Sequence, residues 1–210
     1  MIRRPTKMQL LRWLLGERVL TRVPRGGKAI YLTFDDGPDG RHTPALLELL
    51  RRENAKATFF MIGSQAERHP DLAARVVAEG HRLGNHSYSH PVFSDLSLAE
   101  QVAEIDRADG VLTGFDGMDR HPFRPPRGVF SVRMLLHSLR RHSRLAYWSY
   151  DTLDYRYKDP ARLIALLRAR PPRDGDVLLM HDDDDCSARV LEVMLPEWRG
   201  LGFHFPVLPA

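Results

Sequence analysis

Cysteine is all but missing. Cys186 stands alone in 210 residues, so no intrachain disulfide can form and no oxidising compartment is implied. Long apolar runs are missing too. The richest, Met8-Gln9-Leu10-Leu11-Arg12-Trp13-Leu14-Leu15, is interrupted by Arg12, falls far short of a membrane span and precedes no small-residue cleavage site. No low-complexity tract, linker or break in composition divides the chain, so a single domain is expected. Neither sign of charge dominates: 31 Lys and Arg stand against 27 Asp and Glu. Basic and aromatic residues do not interleave, which argues against nucleic acid as a partner. The mildly basic balance suits an anionic substrate or a membrane surface.

What is present begins with a basic amphipathic extension over residues 1–27. Its first 16 residues read as a helix resting on the domain. The alternative is a peripheral membrane contact, with Trp13 as anchor and Arg3, Arg4, Lys7 and Arg12 near headgroups. With no export signal recognised, the expected location is cytoplasmic, at most peripheral to the inner face of the membrane.

From Lys28 to the end, at 210, strand-like and helix-like segments alternate. Strands are expected at Ala29–Phe34, Lys56–Ile62, His81–His86, His121–Arg124, Leu145–Asp151, Asp176–His181 and Phe203–Leu208. Between them, Thr43-Pro44 reads as N-cap and first residue of a helix to about Asn54, and Ser64 to Glu79 as one helix. Ser97-Leu98-Ala99-Glu100 is a capping box for a helix to about Thr113. Further helices are expected from Ser131 to Arg141, from Asp159-Pro160 to Arg170, and from Ser187 to Arg199, the last shortened by Pro196. Seven strands with six intervening helices imply parallel strands wrapped by helices, either a barrel or a doubly wound sheet. Asp35-Asp36, His86, Arg124, Asp151 and His181 fall at the C-terminal ends of different strands, which in a barrel share one mouth. That favours an α/β fold of distorted (β/α)7-barrel type.

The chemistry concentrates at that mouth. Asp35 and Asp36 end the first strand before Gly37-Pro38, and paired carboxylates are most easily tolerated beside a cation. His86-Ser87-Tyr88-Ser89-His90 spaces two imidazoles four apart, which on one helical turn would place both within reach of one metal. Two His and one carboxylate leave coordination positions for water and substrate. Non-haem iron would also accept such a set. Hydrolysis makes better use of a further carboxylate, as base, and a distant His, as acid; Asp35 and His181 fit these roles.

Five segments then occur in order: Thr33-Phe34-Asp35-Asp36-Gly37-Pro38, His86-Ser87-Tyr88-Ser89-His90, Arg124-Pro125-Pro126-Arg127-Gly128, Asp151-Thr152-Leu153-Asp154-Tyr155 and Leu179-Met180-His181. Together they resemble the five motifs of the polysaccharide deacetylases, carbohydrate esterase family 4, with the nodulation-type deacetylase homology domain. The resemblance runs from about Ala29 to Leu208 and implies a distorted (β/α) barrel. It implies that Asp35 is the general base, and that Asp36, His86 and His90 hold Zn²⁺ or another divalent ion such as Co²⁺ or Ni²⁺. His181 would be the general acid, beside Leu179. Arg124 would orient Asp35 and favour its charged form; Asp154, in preference to Asp151, would pair with His181. The Arg127 backbone N–H would stabilise the oxyanion of the tetrahedral intermediate.

Two departures bear on substrate. Arg127 stands where the family usually has Tyr, and Tyr155 where it has Trp; both positions line the substrate groove in relatives. The implied substrate is an N-acetylated amino-sugar glycan, with an anionic or lipid-linked sugar suited to the guanidinium. Alternatives are removal of formyl from a lipid-linked amino sugar, a carbohydrate-binding pseudoenzyme, which would need a missing site residue, and a hydrolase of cyclic imides or ureides. The run Asp182-Asp183-Asp184-Asp185 reads as a solvated loop. Trp148 reads as core, and His42, His69, His81, His121, His137, His142 and His204 as surface or satisfied histidines.

Overall fold

The structure is a computed structural model that describes residues 19–129, 133, 134, 137 and 144–209. Its centre is a five-stranded parallel sheet in the order β4-β3-β2-β7-β6: β2 is Tyr31–Asp35, β3 Ala57–Met61, β4 Arg82–Asn85, β6 Tyr150–Asp151 and β7 Val177–His181. A parallel pair, β1 (Val19–Leu20) with β5 (Leu145–Ala146), is tied to β4 through single bridges Asn85↔Phe123 and Phe123↔Leu145. The strands thus run round as a distorted (β/α)7-type barrel, its wall reduced at Phe123 to one bridge on each side. Helices α1 (Thr43–Arg52), α2 (Gly63–Arg68), α3 (Pro70–Ala78), α4 (Leu98–Asp116), α5 (Asp154–Tyr157), α6 (Pro160–Ala169) and α7 (Cys186–Gly200) cover it.

The central strands explain the organisation. Leu32 and Phe34 on β2, Phe59 on β3 and Leu178 on β7 are buried in one core with Leu46, Leu47 and Leu50 of α1 and Leu191 and Leu195 of α7. Each such side chain contributes about 1.5–3 kcal/mol by leaving water. Strands buried on both faces can change to polar chemistry only where they end, and β2 and β7 end in register at Asp35 and His181.

Seven strands are described, but they differ from the seven expected. His121–Arg124 is reduced to its bridge at Phe123, because Pro122 and Pro125 lack donors. Phe203–Leu208 is reduced to a bridge between His204 and Ala29, with Pro206 in its run. Leu145–Asp151 divides into β5 and β6. β1, within the stretch read as an extension, is new. Ser64–Glu79 is two helices, since Pro70 stops the first at His69, whereas Pro196 does not end α7. The Ser97 capping box and the Asp159 N-cap form as expected. Thr43 is not a capping residue; its hydroxyl is used elsewhere. The Trp13 segment, His142 and most of the helix expected over Ser131–Arg141 lie outside the described residues. Among the described residues, no helix is long and apolar enough to cross a membrane.

Candidate active site

Asp35 closes β2, is almost fully buried, and receives Arg124 Nη1 at 2.6 Å. Arg124 is 0 % exposed, yet four of its five N–H donors are used. Nη1 also donates to Thr33 Oγ1 at 2.8 Å, Nε to the Ala146 carbonyl and Nη2 to the Tyr147 carbonyl, while Phe60 packs 3.9 Å from the guanidinium. Burial lowers its pKa and Asp35 opposes that shift. A buried guanidinium so fully paired is a rigid prop for one carboxylate.

Asp36 turns away from the strand with φ +78°. Its Oδ1 lies 3.4 Å from His86 Nε2 and 3.3 Å from His90 Nε2, and one ligand atom from each of the three residues falls within 4.8 Å of the others. The two histidines come from a loop. Ser87 and His90 have φ +68° and +56°, so the expected helical turn is absent and the i, i+4 spacing is met by a fold of the loop. Asn85 Oδ1 accepts from the Ser87 N–H, while Gly63 and Ser64 donate to the Ser87 and Tyr88 carbonyls. His86 Nδ1 donates to the Arg124 carbonyl at 2.7 Å, which leaves the Nε2 lone pair facing Asp36. His90 is pushed down by burial and by His86. Burial would raise Asp36, but with His86, His90 and His181 protonated their positive charge would outweigh it and bring it to about 2. Asp36 Oδ1 nevertheless lacks a hydrogen-bond partner among the described residues. A carboxylate held ionised, aimed between two imidazoles and short of partners, fits a divalent cation.

His181 ends β7 beside Asp35 on β2. Its Nδ1 donates to Asp154 Oδ1 at 3.0 Å and its backbone N–H to Asp154 Oδ2 at 2.7 Å; Ser187 Oγ also donates to Oδ2 at 2.7 Å. Burial would lower the imidazole, but Asp154 prevails and raises it to about 9. Asp151, the other candidate partner, instead accepts from the Leu153 N–H and the Tyr155 hydroxyl.

These groups open on a cavity of about 400 Å³, lined also by Arg127, Gly128, Trp148, Tyr155, Lys158, Leu179 and Asp183. Arg127 has φ +57° in the short turn Pro126–Gly128, and its N–H has no acceptor among the described residues. Leu179 is buried at the cavity floor, and Tyr155, 51 % exposed, stands edge-on to His181 with centroids 5.5 Å apart. Trp148 is half-buried: it packs against the core, as expected, and also lines the cavity, which the reading as core did not include. Asp182 also departs from expectation. It is buried, accepts from Thr43 Oγ1 at 2.6 Å and is pushed by burial to about 7, so the acidic run is not uniformly solvated. Six of the eight described non-glycine residues with positive φ ring this mouth: Asp36, Ser87, His90, Arg127, Leu153 and Lys158. Backbone in that region costs of order 1–3 kcal/mol each, and such residues gather where geometry serves function.

Residues 22–143 match the polysaccharide deacetylase family. A Bacillus cereus peptidoglycan-N-acetylglucosamine deacetylase is 32% identical over 193 residues, covering 89% of this chain and 69% of that protein. The chain belongs to the polysaccharide deacetylase family. A Bradyrhizobium chitooligosaccharide deacetylase is 31% identical, covering 88% and 90%. Against the Listeria monocytogenes peptidoglycan deacetylase, 32% identical, the chain spans 41% of the relative's length. A crystal structure of a peptidoglycan N-acetylglucosamine deacetylase bound to an N-hydroxybenzamide superposes with TM-score 0.88 at 30% identity, over 95% of this chain and 94% of that one.

Proposed function

We propose that this deacetylase removes an N-acetyl group from an N-acetylglucosamine-containing glycan, with Asp36, His86 and His90 holding a divalent ion. The observation that carries the reading is the in-register pairing of Asp35 and His181 on β2 and β7, beside the underbonded Asp36–His86–His90 set. One carboxylate and two neutral imidazoles suit Zn²⁺, with Co²⁺ or Ni²⁺ as substitutes. When bound, the ion supplies Lewis-acid chemistry, polarising the amide carbonyl and acidifying water.

The chain's own groups handle protons and orientation. Asp35, held by Arg124, takes a proton from the water whose oxygen attacks the acetyl carbon. The Arg127 N–H donates to the oxygen that becomes negative. His181, its Nδ1–H committed to Asp154, gives the Nε2 proton to the departing nitrogen as the C–N bond breaks. Acetate and a free amine result. Leu179 and Trp148 give the acetyl methyl an apolar seat, and Tyr155 offers a ring face to the sugar. The test is acid release by the zinc-loaded protein from chitooligosaccharides and from peptidoglycan. Acetate is expected; formate would transfer the activity to the deformylase alternative, and no acid from any N-acyl amino sugar would overturn the reading.

The substrate carries an anionic group near the acetamide, such as a carboxylate or a lipid-linked phosphate. Arg127 supports this, since its guanidinium lines the cavity with no ion pair among the described residues. Arg127→Tyr keeps the backbone N–H. It should cost about 1.5–3 kcal/mol in kcat/KM on an anionic substrate, the worth of a charged hydrogen bond, and nothing on a neutral chitooligosaccharide. Equal loss on both would make Arg127 structural.

A further inference from the structure

Asp36 adopts a left-handed backbone conformation that an aspartate does not favour, and something outside the turn must hold it there. Two side chains from distant segments converge on the turn's outer side. Thr43, at the start of α1, has a fully buried side chain that accepts from the Asp39 N–H at 2.8 Å and donates to Asp182 Oδ2 at 2.6 Å. The Asp182 carboxylate then lies flat against Gly37: a methyl group added there would overlap both carboxylate oxygens. Backbone bonds complete the frame. Thr43 N donates to the Asp39 carbonyl at 3.1 Å, Ile62 N to the Gly37 carbonyl at 3.0 Å, and Asp182 N to the Asp35 carbonyl at 3.4 Å.

We propose that Thr43 and Asp182 form a clamp across the Asp36–Asp39 turn, holding Asp36 in its ligating conformation and thereby setting metal affinity without touching the ion. Thr43 fixes the far end of the turn at Asp39 and orients the Asp182 carboxylate. Asp182 presses on Gly37, the residue next to the ligand. Glycine is required at 37 by this approach, because a side chain there would displace the carboxylate and free Asp36 to relax. These are positioning residues, and the inference rests on Asp36, His86 and His90 being the ligands.

The test measures Zn²⁺ dissociation constants by competition with a chromophoric chelator, with the Co²⁺ absorption spectrum as a report on coordination. Thr43→Val keeps the shape, removes the hydroxyl and should weaken Zn²⁺ roughly 10- to 100-fold, as loss of a supporting contact does. Asp182→Asn still accepts from Thr43 and should stay within about threefold of the parent. Gly37→Ala should weaken binding strongly in the parent and little in an Asp182→Ala background, because the clash has gone. Parent affinity in Thr43→Val, equal cost of Gly37→Ala in both backgrounds, or a loss in Asp182→Asn as large as in Asp182→Ala would each overturn the clamp. His86→Ala separates the two levels: parent affinity there would refute the ligand set itself, whereas its loss beside an unaffected Thr43→Val would refute only the clamp.

Discussion

The two halves of the mouth are built on opposite rules. In the Asp35–Arg124 and His181–Asp154–Ser187 half, all three guanidinium nitrogens donate and both oxygens of Asp154 accept hydrogen bonds. In the Asp36–His86–His90 half, the side chains approach at 3.3–3.4 Å and a buried carboxylate oxygen has no hydrogen-bond partner among the described residues. On the proposed roles, the groups that would move protons are fixed by partners that stay, because their geometry and charge must persist through turnover. The groups that would hold an ion are left short of partners, because filling their lone pairs internally would compete with the ion. At Asp36, where two imidazoles converge on the same oxygen, the missing partner therefore points to an ion.

Breaking the underbonded half should have the largest effect. His86→Ala would leave two of the proposed ligands, too few to retain zinc at a catalytic site, so metal and activity should disappear together. Elemental analysis of the dialysed variant decides it: one zinc per chain with activity intact would remove the distinction between the halves. Asp35→Asn probes the other half. It should bind zinc as the parent does and lose roughly 10²–10⁴-fold in kcat, the worth of a general base. Loss of zinc in Asp35→Asn, with zinc retained in Asp36→Asn, would reverse the assignments of the two carboxylates.

The same contrast explains what could be read from the sequence. Asp35, Asp36, His86, Arg124 and His181 stand out because each lies at an expected strand end, where a buried run changes to polar chemistry; His90 stands out by its spacing from His86, and Asp154 only through the resemblance to the family's motifs. The support behind them was far less legible. The His86–His90 spacing suggested a helical turn, but left-handed Ser87 and His90 fold a loop to the same end, and residue spacing does not distinguish the two. Asp182 was hidden in a run of four acids, and Thr43 before Pro44 looked like an N-cap; their contact joins positions 139 apart. Trp148 could be read as core, but not as cavity wall, where Gly128, whose added Cβ would meet the indole, also places it. The short strands failed for a local reason: Pro122, Pro125 and Pro206 leave single bridges where apolar character alone suggests pairing.

A sharper cut through the bonded half comes from pH. His181 stays protonated up to about 9 because Asp154 outweighs burial. Its acid form is present below that value and is lost as pH rises through it. The alkaline limb of kcat should therefore lie near pH 9 in the parent. In Asp154→Asn burial is opposed only by Asp35 and Asp36, so the limb should move well to the acid side of 9, and activity at pH 8 should fall much more than activity at pH 6. A profile scaled down equally at every pH would mean that Asp154 only holds the ring in place.

The smallest effect is expected at Ser187, on the outer side of Asp154. Its hydroxyl, in a buried setting, holds Oδ2 while Oδ1 faces the imidazole, and together with the His181 N–H it favours the ionised carboxylate. Ser187→Ala removes one of these donors and leaves the others, so about 1 kcal/mol is at stake, the net worth of one hydrogen bond. That corresponds to about a fivefold fall in kcat if Asp154 must be held in one rotamer, with the alkaline limb displaced by less than one pH unit to the acid side. Ser187→Thr, which keeps the hydroxyl, should recover the limb. Zinc affinity should not change in either variant, since no hydrogen bond in the described residues links Ser187 to Asp36, His86 or His90. A change in zinc affinity in Ser187→Ala would mean that the two halves are coupled through Asp154 and His181, and that the division between a bonded and an underbonded half is one of degree.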